Sequence, residues 1–178
     1  MLVIVKSYSS SNDLKTQLIK KSMETATFAA GCFWGVEKTF SETKGVTKTT
    51  AGYAGGHTKN PTYKEVCTDT TGHAEAVQVE FDPKVISYEE VLEVFWKLHD
   101  PTTPNRQGPD EGSQYRSAIF YESESQKKKA LQSKEKLEKS KKYKYPIVTE
   151  IVKLEKFYKA EEYHQQYLKR KGKGFICH

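Results

Sequence analysis

The pentapeptide Gly31-Cys32-Phe33-Trp34-Gly35 constrains this chain more than any other segment, because of what stands on either side of it. Residues 25–30 are small and β-prone, whereas Phe33, Val36 and Phe40 recur at spacings of three and four. That pattern predicts a strand, a glycine turn and a helix, with Cys32 in the first helical turn. Unpaired N–H groups and the positive end of the helix dipole favour a thiolate there. The commoner fate of a free cysteine is to be a small buried hydrophobe. The two flanking glycines count against that fate, since they let backbone or substrate approach closely.

With 178 residues, 36% of them hydrophobic and 12% aromatic, the chain is sized for one domain with an adequate core. No internal repeat or low-complexity linker divides it. Residues 1–22 are rich in serine and lysine and read as a loosely ordered extension. An organellar address stays open as a weak alternative, since they use lysine rather than arginine. The globular part is expected over residues 23–169, followed by a mobile tail over 170–178. The apolar run over residues 2–5 is too short to cross a membrane or serve as a secretory signal. Three cysteines, Cys32, Cys67 and Cys177, include no Cys-x-x-Cys pair, which argues against a disulfide framework and a cysteine zinc site. A reducing, cytoplasmic compartment is the expected home.

The net charge of +6 raises nucleic acid as a partner, but nine lysines fall within residues 127–144, beside only Tyr143 and Tyr145. Aromatic residues do not interleave with the cations across a surface, so this reads as a solvated helix face and no specific nucleic-acid binding is expected. Ser123 with Gln126, and Ser87 with Glu90, are capping-box patterns. They predict helices beginning near Glu124 and Tyr88, with Val91, Leu92, Phe95 and Leu98 on one face of the latter. Further strands are expected over residues 45–53, 73–81, 117–121 and 147–152, and a helix over 160–169. Residues 100–116 form a long loop of the kind that carries function. The fold class is α+β: a two-layer sandwich with a mixed β-sheet flanked by helices, in a single domain.

Along the strand over residues 73–81, Glu75 shares a face with Val77, Val79 and Phe81. A carboxyl on the apolar side is desolvated and its pKa raised, which suits it to donate a proton near neutral pH. If the strand end frays, Glu75 instead sits in water or pairs with a lysine. His73 faces away from it and reads as structural, and neither His57 nor His164 has ligand-like spacing, so no metal site is expected. Cysteine-dependent acyl transfer, with His73 or His57 as base, is the rival chemistry.

Beyond these generic readings stand five ordered blocks: Gly-Cys-Phe-Trp-Gly; Gly52-Tyr53-Ala54-Gly55-Gly56 with Asn60-Pro61-Thr62-Tyr63; Thr71-Gly72-His73-Ala74-Glu75; the run from Gln107 to Ser117; and Glu161-Glu162-Tyr163-His164-Gln165. Together they resemble the A-type peptide-methionine sulfoxide reductases over residues 25–168. The resemblance implies reduction of the S epimer of methionine sulfoxide, free or in proteins, without metal, haem or flavin. It implies that Cys32 attacks the sulfoxide sulfur and becomes a sulfenic acid, and that Glu75 protonates the departing oxygen. Tyr63 and Tyr115 would hydrogen-bond that oxygen with Asp110 in support, and Phe33 and Trp34 would receive the substrate's methyl group. Cys177 would resolve the sulfenic acid as a disulfide, which thioredoxin reduces. The chain departs from many relatives by ending one residue after Cys177. Cys67 is the alternative resolver, more readily read as incidental. A monomer is expected.

Overall fold

The computed structural model describes residues 23–172, so the extension over 1–22 and Cys177 in the tail lie outside the described residues. β1 (Glu24–Ala30) leads through Gly31 into α1 (Phe33–Ser41), and β2 (Val46–Ala54) is followed by a single helical turn, α2 (Tyr63–Val66). β3 (Ala74–Phe81) precedes α3 (Tyr88–Lys97). A short ribbon of β4 (Arg106–Gln107) and β5 (Asp110–Glu111) and a 3-10 turn (Ser113–Tyr115) lead into β6 (Ser117–Tyr121). α4 (Glu124–Lys139), β7 (Glu150–Lys153), β8 (Phe157–Lys159), a second 3-10 turn (Glu162–His164) and α5 (Tyr167–Lys171) complete the described chain.

Six strands form one mixed sheet in the order β7-β6-β1-β3-β2-β8, parallel only between β6 and β7. Period-two alternation divides its side chains between two faces. Phe28 of β1, Tyr53 of β2, Val77, Val79 and Phe81 of β3 and Ile119 of β6 pack into one core with α1 and α3. α1 buries Phe33, Val36, Glu37 and Phe40, and α3 buries Tyr88, Val91, Leu92, Phe95 and Trp96, each set lying on one helical face. The opposite face of the sheet carries Ala29, Ala54, Ala74, Ala76 and Ala118, small enough for Leu154 and Phe157 to cover it closely.

This topology gathers the chain crossings that matter. β1 and β2 end, and β3 and β6 begin, at the same end of the sheet, because the neighbouring pairs are antiparallel. Cys32, Tyr63, Glu75 and Tyr115 all lie within about ten residues of those strand ends, so four segments distant in sequence meet there. Gly31 makes the first crossing with φ +91, and a Cβ at this position would lie 2.7 Å from the Gln107 side chain. Both constraints exclude other residues.

The structure corrects several sequence expectations. Cys32 is the N-cap of α1 rather than a first-turn residue, with φ −55 and ψ 119. Ser87 and Glu90 make a complete capping box. Ser123 accepts from the Gln126 N–H, but the Gln126 amide turns instead to the Glu122 N–H and the Thr25 carbonyl, joining α4 to β1. The strand expected over 147–152 starts later, at Glu150, since the Val148 N–H donates to the Pro101 carbonyl instead of a strand neighbour. The helix expected over 160–169 is broken: Gln166 is left-handed at φ 51, and only residues from Tyr167 onward are α-helical. The break lets the buried Glu37 accept from both the N–H (2.7 Å) and the amide (2.9 Å) of Gln166. The Gln165 amide meanwhile donates to the Ala51 carbonyl at 3.0 Å while its oxygen accepts the Ala51 N–H.

His99, at the end of α3, gives the fold a pH dependence. Its Nδ1 lies 2.9 Å from the Phe95 carbonyl, which only accepts, so Nδ1 carries the proton and Nε2 accepts from Ser117 Oγ at 2.7 Å. Burial, against the smaller opposing pull of the Phe95 carbonyl and Asp100, holds its pKa down at about 4. An unfolded chain takes up this proton below its ordinary value near 6.5, and the folded chain does not. The stabilisation is therefore complete above about 6.5 and is lost as pH falls toward 4, at about 1.4 kcal/mol per pH unit. Urea denaturation at a series of pH values should show a shallower loss over that window in His99→Gln than in the wild type.

Candidate active site

Strand parity puts the Glu75 side chain on the helix side of the sheet, where it is 2% exposed. There its Oε2 accepts the backbone N–H of Phe33 at 2.9 Å. This N–H is the first of α1 and belongs to the residue after Cys32, so one hydrogen bond across 42 residues fixes the carboxyl beside the cysteine. Cys32 itself is half-buried. The frayed strand end is excluded: Ala74 and Glu75 pair in register with Ala54 and Tyr53.

The two tyrosines come from opposite sides. Tyr63 opens α2, whose N-cap Thr62 forms a complete capping box with Glu65. Tyr115 closes the 3-10 turn ahead of β6. Burial raises the pKa of Tyr63, reinforced by donation of its hydroxyl to the Cys67 sulfur and by the nearness of the ionisable Cys67 and Glu75. Burial raises that of Tyr115 too, with further contributions from Glu75, Asp110, Cys67 and Cys32. Both phenols therefore stay protonated and able to donate. Asp110, on the β4–β5 ribbon, has its carboxyl pushed up by burial. The expected residues Cys32, Glu75, Tyr63, Tyr115 and Asp110 thus form one electrostatic cluster.

Phe33 is buried, and its ring lies 4.9 Å from His164, 5.9 Å from Tyr53 and 6.4 Å from both Trp34 and Tyr63. Trp34 stacks on Tyr167 at 3.9 Å, and its Nε1–H donates to His164 Nδ1 at 3.0 Å. Phe33 is therefore core and aromatic wall at once. Cys67 is exposed, its thiol pKa pushed up by partial burial and by Glu75 and Glu161 against the opposing bond from Tyr63.

Two residues of the site escape a reading from local pattern. Glu161 Oε1 accepts the Tyr63 N–H at 2.8 Å and its Oε2 accepts the Tyr53 hydroxyl at 2.9 Å. Burial works to raise its pKa, but these bonds outweigh it and hold the carboxyl ionised. His164, 1% exposed, holds the Trp34 indole, and burial lowers its pKa so that Nδ1 keeps its lone pair as acceptor. Nothing in the spacing of residues 161–164 signals these partners, about a hundred residues away. The Thr62-Tyr63-Lys64-Glu65 capping pattern, in contrast, was available to locate α2.

His73 is engaged elsewhere. Its Nδ1 accepts the Gly56 N–H at 3.0 Å and its Nε2 donates to the Thr58 carbonyl at 2.9 Å, leaving no nitrogen to activate a thiol. Asp69 accepts from both the N–H and the hydroxyl of Ser113, and Arg116 donates to the Ser113 and Gly72 carbonyls, so the Tyr63 and Tyr115 segments are tied together. Among the described residues, no group of three or more His, Cys, Asp or Glu is placed to hold a metal ion, and no helix is long and apolar enough to cross a membrane.

A cysteine at a helix N-cap, a buried carboxyl held beside it, two protonated phenols and an aromatic wall can take a nucleophilic sulfur and a proton to a small dipolar oxide. The chain as a whole is similar to several known proteins. An MsrA peptide methionine sulfoxide reductase of Methanosarcina acetivorans is 64% identical over 152 residues, covering 85% of this chain and 81% of its own. The structure of Mxr1 from Saccharomyces cerevisiae in reduced form superposes with a TM-score of 0.82 at 38% identity, over 88% of this chain and 90% of that one. Mxr1 in complex with Trx2 superposes at 0.60 with 29% identity, over 83% and 86%. The profile described as "Peptide methionine sulfoxide reductase" matches residues 24–178, which comprise all of the fold and all of the site described above. On sequence, architecture and site together, the chain belongs to the peptide methionine sulfoxide reductase family.

Proposed function

We propose that the protein reduces the S epimer of methionine sulfoxide, in polypeptides or as the free amino acid, by oxygen transfer to Cys32. The observation that supports this reading is the Phe33 N–H to Glu75 hydrogen bond, which ties a buried carboxyl to the backbone of the residue after Cys32. The Cys32 sulfur attacks the sulfoxide sulfur while Glu75 delivers a proton to the oxygen. Tyr63 and Tyr115 donate hydrogen bonds to that oxygen with Asp110 in support, and Phe33 and Trp34 receive the methyl group. The net step converts thiol and sulfoxide into sulfenic acid and thioether, with the substrate sulfur gaining the two electrons that Cys32 gives up.

Condensation of the sulfenic acid with the Cys177 thiol releases water and forms a disulfide, and a thioredoxin dithiol reduces it by exchange. The likeness to Mxr1 in its complex with Trx2 supports that recycling route. No metal or organic cofactor enters the cycle. The protein acts as a monomer in the cytoplasm, where a reducing poise keeps its thiols available. Incubation with a racemic dabsylated sulfoxide and a thiol reductant should consume the S epimer and spare the R. Mass spectrometry after a stoichiometric pulse should find Cys32 joined to Cys177. Equal consumption of both epimers, or none, would sink the assignment.

Glu161 acts through Tyr63. Glu161→Gln keeps one acceptor for the Tyr63 N–H but weakens the pair of charge-assisted bonds, and Glu161→Ala removes both. At about 1–3 kcal/mol for the unsatisfied donors, kcat should fall roughly 10- to 100-fold in the alanine variant, with partial recovery in the glutamine variant. Steady-state kinetics of the two variants side by side test this ordering.

A further inference from the structure

A cleft of about 270 Å³ opens from Cys32 along α1, and beyond Cys32 and Asp110 the reaction just derived uses none of its lining. Its α1 side is built from Cys32, Gly35, Val36 and Thr39, an i, i+3, i+4, i+7 stripe. Ala30, Val36 and Leu98 give it an apolar floor, and Gln107, Gly108 and Asp110 form the far rim. The rim is fixed: the Gln107 amide oxygen accepts the Asp100 N–H at 3.1 Å and its nitrogen donates to the Asp100 carbonyl at 3.0 Å. Gly35, in the middle of the stripe, carries no side chain to close the passage.

We propose that this cleft receives an apolar side chain next to the oxidised methionine of a polypeptide substrate. The inference rests on the proposed reading of the site and adds a specificity subsite to it. Three observations support it. Cys32 and Asp110 belong both to the reaction cluster and to the cleft wall, so the two are continuous. Consecutive Cα atoms are about 3.8 Å apart, so with the sulfoxide held at Cys32 a neighbouring residue comes within side-chain reach of the opening. The volume falls just below the roughly 300–1,000 Å³ of pockets that enclose whole drug-sized ligands, which suits one or two side chains. Asp110 is the lining's only charged residue, so an acidic neighbour is the disfavoured one.

The test compares kcat/KM for free methionine S-sulfoxide with that for pentapeptides carrying methionine S-sulfoxide between glycine, leucine or glutamate neighbours. The wild type should prefer leucine to glycine by about tenfold, from partial burial of one aliphatic side chain, and should rank glutamate last. Thr39→Trp, which fills the outlet seven residues from Cys32, should abolish the leucine preference and leave free methionine sulfoxide within about twofold. Leu98→Ala, which deepens the floor, should move the preference from leucine to phenylalanine. Equal rates on leucine and glycine peptides in the wild type, or an unchanged ranking in either variant, overturn the proposal. So does slower thioredoxin-dependent recycling in Thr39→Trp with the peptide ranking intact, which would give the cleft to the chain's own C-terminal segment. Absence of wild-type activity on the free amino acid and on every peptide would instead sink the reading of the reaction itself.

Discussion

Cys32→Ser is expected to lose methionine sulfoxide reduction by more than about a thousandfold, the scale seen when a covalent nucleophile is removed from a preorganised site. A serine hydroxyl at the N-cap of α1 fits sterically and is a better cap than cysteine, so the fold should survive or gain slightly. The chemistry does not survive, because an alkoxide is not accessible there and oxygen cannot accept an oxygen atom to become the counterpart of a sulfenic acid. A thermal melt with a midpoint at or above that of the wild type, alongside no detectable turnover, is the combined result to look for. Turnover within an order of magnitude of the wild type would mean that another thiol carries the reaction, and Cys67, bonded to the Tyr63 hydroxyl, would be the first to examine.

Glu75→Gln should produce the second largest loss, about a hundred- to ten-thousandfold in the sulfoxide reduction step, which is the usual worth of a positioned proton donor. The substitution is close to isosteric and its amide oxygen still accepts the Phe33 N–H, so it separates proton donation from the scaffold role of the same side chain. Single-turnover measurement without reductant isolates the step from disulfide recycling. An unchanged single-turnover rate would show that the phenols or solvent supply the proton. Glu75→Ala should be worse than Glu75→Gln, since it also leaves the buried Phe33 N–H without its acceptor.

Much of this site was legible from sequence because its central residues are defined locally. Strand parity from Val77, Val79 and Phe81 placed Glu75 on the buried face, and the switch from small β-prone residues to helical spacing placed Cys32 at the junction. The strands over 45–53, 73–81 and 117–121 and the helices beginning at Tyr88 and Glu124 followed from period and cap in the same way, whereas β7 begins later than expected and the short β4, β5 and β8 had no local signal. What failed was the segment over 160–169, whose conformation is dictated from afar. Ala51 and Glu37 claim the Gln165 and Gln166 side chains across 114 and 129 residues, and Gln166 adopts a left-handed backbone to satisfy them. Helical propensity cannot compete with a buried carboxylate that needs two donors. The anchoring of Tyr63 by Glu161 was invisible for the same reason: the carboxylate and the amide it holds are 98 residues apart.

The attachment of Gln166 to Glu37 bears on the resolution step proposed above, in which Cys177 meets the sulfenic acid. It clamps the last described helix to the helix that presents the Cys32 sulfur, and four residues separate Gly172 from Cys177 in the sequence. Where so short a tether spans two thiols, it holds one near the other at an effective concentration of about millimolar. On the proposed route the oxidised intermediate would be quenched internally before dilute outside thiols collide with it, and an incoming reductase would meet a disulfide rather than a sulfenic acid.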